Sequence, residues 1–226
     1  PNIIQVFDAG RLPDGSDYLM MELATEGALS DCVARPMPWA RLLPLLVGLL
    51  DGLGHAHARG IVHRDIKAAN VLLSRSASGE LTPRIADFGL AKLPGAEGAY
   101  ASTRMGAGTR LYMPPEQFDN ALFAIHPPAD LYAFGVLVYL LVAGHGPWEE
   151  RGLGPLVLEK SAGRFRPLEP APGTDAPPGL EDLIGRLLSP SPAARPELAA
   201  DVREELLALG ATRSALSDRG SAPVMH

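Results

Sequence analysis

The chain has 226 residues, 46% of them hydrophobic and 20% charged, enough apolar matter for a buried core and too much for a solvated tail or a collagenous repeat. Glycine (24 residues) and proline (22) make up about a fifth of the chain, against about an eighth in ordinary usage, so the fold is rich in turns. A net charge of −6, from 20 Lys and Arg against 26 Asp and Glu, offers no basic field for a phosphate backbone and excludes a general nucleic-acid binder, while the single cysteine, Cys32, excludes an internal disulfide framework and fits a reducing compartment.

From Ile3 to Leu23 the pattern is β-like: IIQVF, a turn marked by Asp8, Gly10 and Pro13-Asp14-Gly15, then YLMMEL, which predicts one hairpin followed by a loop. Leu42, Leu45, Leu46, Leu49, Leu50 and Leu53 recur at helical spacing and predict a helix from about Trp39 to Ala58, opened by Pro38 and stopped by Gly60. Residues 61–93 break into short β-prone pieces (IV, NVLL, PRIAD), and 94–128 reads as a long irregular stretch rich in Gly, Pro, Ser and Thr, a length that marks a functional or disordered loop. Helical runs follow at about 129–143, 154–162, 178–188 and 197–209, and the residues from 210 onward read as a frayed tail. The longest apolar stretch, Leu131 to Ala143, is short of the roughly 20 residues a membrane span needs. It predicts a buried core helix, with no membrane segment within the chain.

The chemistry concentrates in His63-Arg64-Asp65-Ile66-Lys67-Ala68-Ala69-Asn70, followed by Asp87-Phe88-Gly89 and then Pro114-Pro115-Glu116. These three runs, in this order and spacing, resemble the H-R-D-x-x-x-x-N, D-F-G and A-P-E elements of the protein kinase family. Ala68 and Ala69 stand where Pro and Glu are commoner and Pro114 replaces Ala, and none of these departures removes a ligand. The resemblance implies an α+β, protein kinase-like fold that is mainly a helical large lobe. It also implies ATP and Mg²⁺ (or Mn²⁺) as cofactors and a protein Ser/Thr hydroxyl as acceptor.

Phosphoryl transfer asks for positioning and charge neutralisation more than for covalent chemistry. By the resemblance Asp65 would accept or orient the hydroxyl proton, Asn70 and Asp87 would hold the metal, and Lys67 would face the transferred phosphate, a lysine typical of the serine/threonine group. Oxygen donors of this kind suit a hard cation. Tyr18 to Leu23 resembles a fifth strand and hinge, which makes Met21 a gatekeeper, places the Glu22 carbonyl and Ala24 backbone against adenine, and sets Leu72 beneath it. Asp130, opening Asp130-Leu131-Tyr132-Ala133-Phe134-Gly135, resembles the aspartate that supports the catalytic-loop backbone, and Arg195 resembles the arginine that pairs with Glu116. His63 is expected to pack near Phe88, beside Gly89. Arg64 next to Asp65 resembles kinases switched by activation-loop phosphorylation, with Ser102 or Thr103 as the acceptor. Thr109 is expected to hydrogen-bond both Asp65 and Lys67.

No G-x-G-x-x-G run stands in the place that a phosphate loop requires, Gly52-Leu53-Gly54 lacking the third glycine, and no strand lysine precedes the hinge. The reading is an N-terminally truncated catalytic domain: residues 1–24 a remnant of the small lobe and hinge, 25–209 the large lobe, 210–226 a flexible tail. The isolated chain is expected to bind ATP poorly and to be inactive. Two other readings stand beside it, a pseudokinase or scaffold that keeps the fold without the chemistry and a small-molecule phosphotransferase of the aminoglycoside type. A cytoplasmic kinase domain from a bacterial source fits the Ala/Gly/Pro/Leu-rich composition. His55, His57 and His63 have a spacing that fits no usual zinc pattern.

Overall fold

The alternation that starts at Val6 becomes a hairpin, β1 (Val6–Arg11) pairing antiparallel with β2 (Asp17–Met21) and carrying a bulge between Val6 and Asp8. The computed structural model describes residues 1–33, 35, 37–76, 78–88, 107–118, 126–149 and 151–220. Gly15 closes the hairpin turn at φ 87, its amide donating to the Leu12 carbonyl at 2.9 Å. Residues ahead of β1 belong to the main body: the Ile4 amide donates to the Ile85 carbonyl, and the Ile85 amide donates to the Asn2 carbonyl, both at 2.9 Å. The first residues thereby run beside β4 (Leu81–Ile85), which pairs antiparallel with β3 (Val71–Arg75).

After a single turn, α1 (Ser30–Val33), the leucine stripe forms α2 (Trp39–His57), with all six of the predicted leucines buried. Pro38 sits just outside its first turn, and Gly60 at φ 71 redirects the chain beyond its end. Two glycines on α2 decide how it meets the strands. A Cβ at Gly48 would stand 2.8 Å from both Asn2 Nδ2 and Pro83 Cγ, and one at Gly52 would stand 3.0 Å from the Asn2 carbonyl oxygen. Backbone and ring atoms cannot swing aside, so only glycine allows this approach.

Ile61 and Val62 form no strand, contrary to their β-prone composition; they lead into the His63–Asn70 loop, where the His63 and Arg64 amides go to a side chain instead of to a ladder. Within the stretch expected to be irregular, α3 (Ala107–Tyr112) makes a short helix and Pro115–Gln117 a 3₁₀ turn. The apolar run becomes α4 (Pro128–Ala143), buried at every residue from Ala129 to Ala143 and closed by Gly144 at φ 75. A helix apolar all round belongs in the middle of a core, and α4 takes that place, with α2, α3, α5 (Leu153–Ser161) and α6 (Leu180–Leu187) around it. The last helix, α7 (Ala199–Gly220), runs past the predicted end at 209, so the residues expected to fray are helical as far as Gly220. Among the described residues no helix is long and apolar enough to cross a membrane.

The close approach at Gly48 is testable. Gly48→Val is expected to cost about 2–3 kcal/mol through overpacking against Pro83, lowering Tm by about 4–10 °C for a chain of this size. Thermal unfolding checks it, and an unchanged Tm would refute the packing argument.

Candidate active site

Asp130 lies in the first turn of α4 and is 1% exposed. A carboxylate so deep is tolerable only when hydrogen-bonded, and the chain brings it three donors. The His63 amide donates to Oδ2, the Arg64 amide to Oδ1 and the His57 ring Nε2 to Oδ2, each at 2.8 Å. These bonds hold Arg64 at φ 70, a left-handed conformation that costs a non-glycine residue about 1–3 kcal/mol. The same carboxylate thus shapes the loop that presents Asp65.

His63 connects this loop to the Asp87 strand end. Its Nδ1 accepts from the Asp65 amide at 3.2 Å, so the ring proton sits on Nε2 and is donated to the Ala86 carbonyl at 2.8 Å. Its ring meets Phe88 edge-on, with centroids 4.6 Å apart. Asp87 follows at φ 64, the other non-glycine residue at positive φ among those described. Asp65 and Asp87 are therefore set relative to one another through a single buried imidazole.

Asp65, Lys67, Asn70 and Thr109 come together. Asn70 Nδ2 donates to the Asp65 carbonyl at 2.8 Å and to its Oδ2 at 3.0 Å, and Lys67 Nζ donates to the same Oδ2 at 2.8 Å. Both donors converge on one carboxylate oxygen, and Oδ1 enters no hydrogen bond among the described residues. Thr109 Oγ1 accepts from Lys67 Nζ at 3.2 Å. The direct Thr109–Asp65 bond expected from the sequence is replaced by this relay through lysine. With its amide nitrogen engaged by Asp65, Asn70 has its carboxamide oxygen left as an acceptor. That oxygen and the Asp87 carboxylate are oxygen donors of the type that could hold a small hard cation.

At the hinge, the Glu22 carboxylate accepts from the Gln5 amide at 2.9 Å and from Arg84 at 3.2 Å, tying β2 to β4. The Glu22 carbonyl and the Ala24 backbone enter no hydrogen bond among the described residues, while Met21 and Leu72 are half-buried. Leu72 is bridged to Ala28 just beyond the hinge. Gly89, Ser102 and Thr103 lie outside the described residues.

Downstream, Arg195 and Glu116 form a two-pronged pair at 2.6 and 2.8 Å, with the arginine side chain wholly buried. Arg195 also donates to the carbonyls of Pro128, Ser189 and Pro190. Several contacts escaped the sequence reading. The His57–Asp130 bond is one, where the sequence showed only that the spacing of His57 and its neighbours fits no usual zinc pattern. Others are the Tyr112 hydroxyl, which accepts from the Ala68 amide at 3.4 Å, and Lys160, 1% exposed on α5. Lys160 Nζ donates to the carbonyls of Arg110, Leu111 and Met113 at 3.2, 2.7 and 2.6 Å. A lysine between Glu159 and Ser161, on a helix where every other residue is at least partly exposed, carries no local signature of such partners. Burial draws its ammonium down to about 7, opposed by the nearby Glu116 carboxylate.

Two stability predictions follow from these charges. Arg195→Met strands the Glu116 carboxylate and is expected to cost about 3–5 kcal/mol, a Tm loss of about 6–20 °C; calorimetry showing a loss under 2 °C would contradict it. For Lys160 the folded pKa of about 7 lies below the ordinary 10.5, so between these values the unfolded chain holds a proton that the native one has released. Unfolding free energy therefore gains from this group as pH rises from about 7 toward 10.5, and below 7 the burial cost stands in full. Denaturant titrations across that range are expected to show a shallower rise in Lys160→Met than in wild type.

Comparison with known proteins agrees with the geometry. The protein kinase domain family matches residues 1–207. The chain is 36% identical over 225 residues to serine/threonine-protein kinase pkn2 and 34% identical over 226 residues to serine/threonine-protein kinase Pkn1, both of Myxococcus xanthus, covering 96% and 98% of this chain. It is also 34% identical over 199 residues, 86% of its length, to the calcium/calmodulin-dependent protein kinase type II subunit delta of Oryctolagus cuniculus. The chain spans 26%, 32% and 36% of the lengths of these three relatives. With Asp65, Lys67 and Asn70 joined on one loop and the Glu116–Arg195 pair held on a helical lobe, and with a family match over residues 1–207, the chain belongs to the protein kinase family.

Proposed function

We propose that the protein transfers the γ-phosphoryl group of ATP to a Ser or Thr hydroxyl of a protein substrate. The observation that carries this reading is the state of Asp65. One carboxylate oxygen is pinned by Lys67 and Asn70, the other enters no hydrogen bond among the described residues, and Asp65 lines a small pocket together with Thr109, Tyr112 and Met113. An oxygen so placed can orient an incoming hydroxyl and take its proton as the new P–O bond forms and the bond to the ADP oxygen breaks. Lys67, already between Asp65 and Thr109, would lie against the phosphoryl group in transit.

Asn70 and Asp87 would hold Mg²⁺ or Mn²⁺, which when bound neutralises charge on the ATP phosphates. Adenine would lie between Met21 and Leu72, meeting the Glu22 carbonyl and the Ala24 backbone. A protein acceptor, not a small molecule, is supported by the names of the Myxococcus relatives and by the buried Arg195–Glu116 anchor, which secures the segment flanking the pocket.

The test is transfer of labelled phosphate from MgATP by the full-length protein, offered a basic Ser/Thr protein and an aminoglycoside side by side. Label on protein Ser or Thr is expected, with Asp65→Asn reducing kcat by about 10²–10⁴-fold while nucleotide affinity is kept. Label on the aminoglycoside would move the assignment to a small-molecule phosphotransferase. No transfer and no MgATP binding would leave the scaffold reading.

A further inference from the structure

The segment that follows Thr109 is held from two sides. On one side Thr109 and Tyr112 touch Lys67 and Ala68 of the catalytic loop. On the other, Lys160 reaches from α5 to the carbonyls of Arg110, Leu111 and Met113. Arg110 and Leu111 lie in the last turn of α3, where helix carbonyls have no partner of their own and a cation is favoured. Lys160 therefore acts as a C-terminal cap supplied by a different helix.

The setting shows that N–H donors, not bulk, are what the site uses. Lys160 Nζ lies 4.4 Å from the Trp148 ring centroid, 5.3 Å from Tyr132 and 5.8 Å from Phe118. An apolar side chain would fill this box without the cost of burying an ammonium, but it would leave the three carbonyls unmet. Tyr132 also carries the Arg195 guanidinium 4.8 Å from its centroid, and Arg195 holds Glu116. Two buried cations around one tyrosine thus fasten residues 110–116, which run along the pocket beside Asp65.

We propose that Lys160 is a positioning residue for the protein substrate: by capping the end of α3 it keeps residues 109–113 in the one backbone shape that lays an acceptor chain against Asp65. The inference rests on the protein-kinase reading above. The Lys160 ammonium bonds the carbonyls of Arg110, Leu111 and Met113 and none of Asp65, Lys67 and Asn70, so its effect belongs to peptide recognition and not to the chemical step.

The test uses the full-length protein as wild type, Lys160→Met and Lys160→Gln, with Val142→Ala as a core variant that weakens α4 packing without touching the segment. In Lys160→Met, amide hydrogen exchange over residues 107–113 is expected to quicken about tenfold or more while α4 amides hold, and the KM for a Ser/Thr peptide to rise about tenfold, with kcat and the KM for ATP within about threefold of wild type. Val142→Ala is expected to lower Tm without moving peptide KM. If Lys160→Met does not fold, Lys160→Gln, which keeps two N–H donors on a shorter stem, is expected to show the same split at smaller size. Unchanged exchange, or exchange that quickens equally everywhere, would overturn the tether. An unchanged peptide KM, or a fall in kcat alone, would overturn the positioning role. Should wild type label no Ser/Thr peptide, the kinase reading fails, and the exchange measurement still decides the tether.

Discussion

A buried carboxylate with three donors organises this molecule. Asp130 cannot stay charged in the core unless its oxygens are satisfied, and the groups that satisfy it are a helix-end imidazole and two successive backbone amides of the catalytic loop. Meeting that requirement fixes the Arg64 backbone in a conformation it would otherwise avoid and delivers Asp65 at a defined place and angle. Because Asp130 begins α4, the most buried helix of the fold, the position of the catalytic loop is referred to the centre of the core and not to a surface element. A loop held this way can be irregular without being mobile, since its polar groups are spent on side chains whose own positions are packed.

The same economy recurs downstream. Arg195 is wholly buried yet meets five acceptors, two from Glu116 and three from backbone carbonyls. Lys160 is buried to the same degree and meets three carbonyls. In each case a basic side chain is used where a hydrophobic group would have packed more cheaply, and each reaches the segment between Arg110 and Glu116, Lys160 through three of its carbonyls and Arg195 through the Glu116 carboxylate. Apolar packing tolerates sliding, whereas a hydrogen-bonded charge admits one arrangement at a heavy penalty for others. That difference explains why this segment, which has little core of its own, is secured by Lys160 on α5 and by Arg195, just after the 3₁₀ turn Pro192–Ala194.

The helices α2, α4, α5 and α6 were legible because their signals are local: a leucine stripe of period 3.6, an unbroken apolar run, and flanking Pro and Gly. The meeting of Asp65, Lys67 and Asn70 was legible for another reason, since the three stand within six residues of one another on one loop. The Ile61-Val62 pair was misread as a strand because β-branched residues pack equally well in a loop whose backbone bonds are met elsewhere. The end of α7 was placed too early, the residues from 210 being read as a frayed tail, although the helix runs to Gly220 and Gly210 lies close against Leu43 of α2.

By itself the sequence determined the chemistry available, namely which oxygens and which ammonium groups the site contains, and the order of helices that carries them. Only the tertiary structure decided which of these groups meet: His57 with Asp130, Glu22 with Arg84, Gly48 beneath Pro83, and Lys160 with carbonyls some 50 residues away. The physical reason is that a backbone carbonyl is the same in every residue, so a partner chosen through one leaves no trace in composition or spacing until the chain has folded around it.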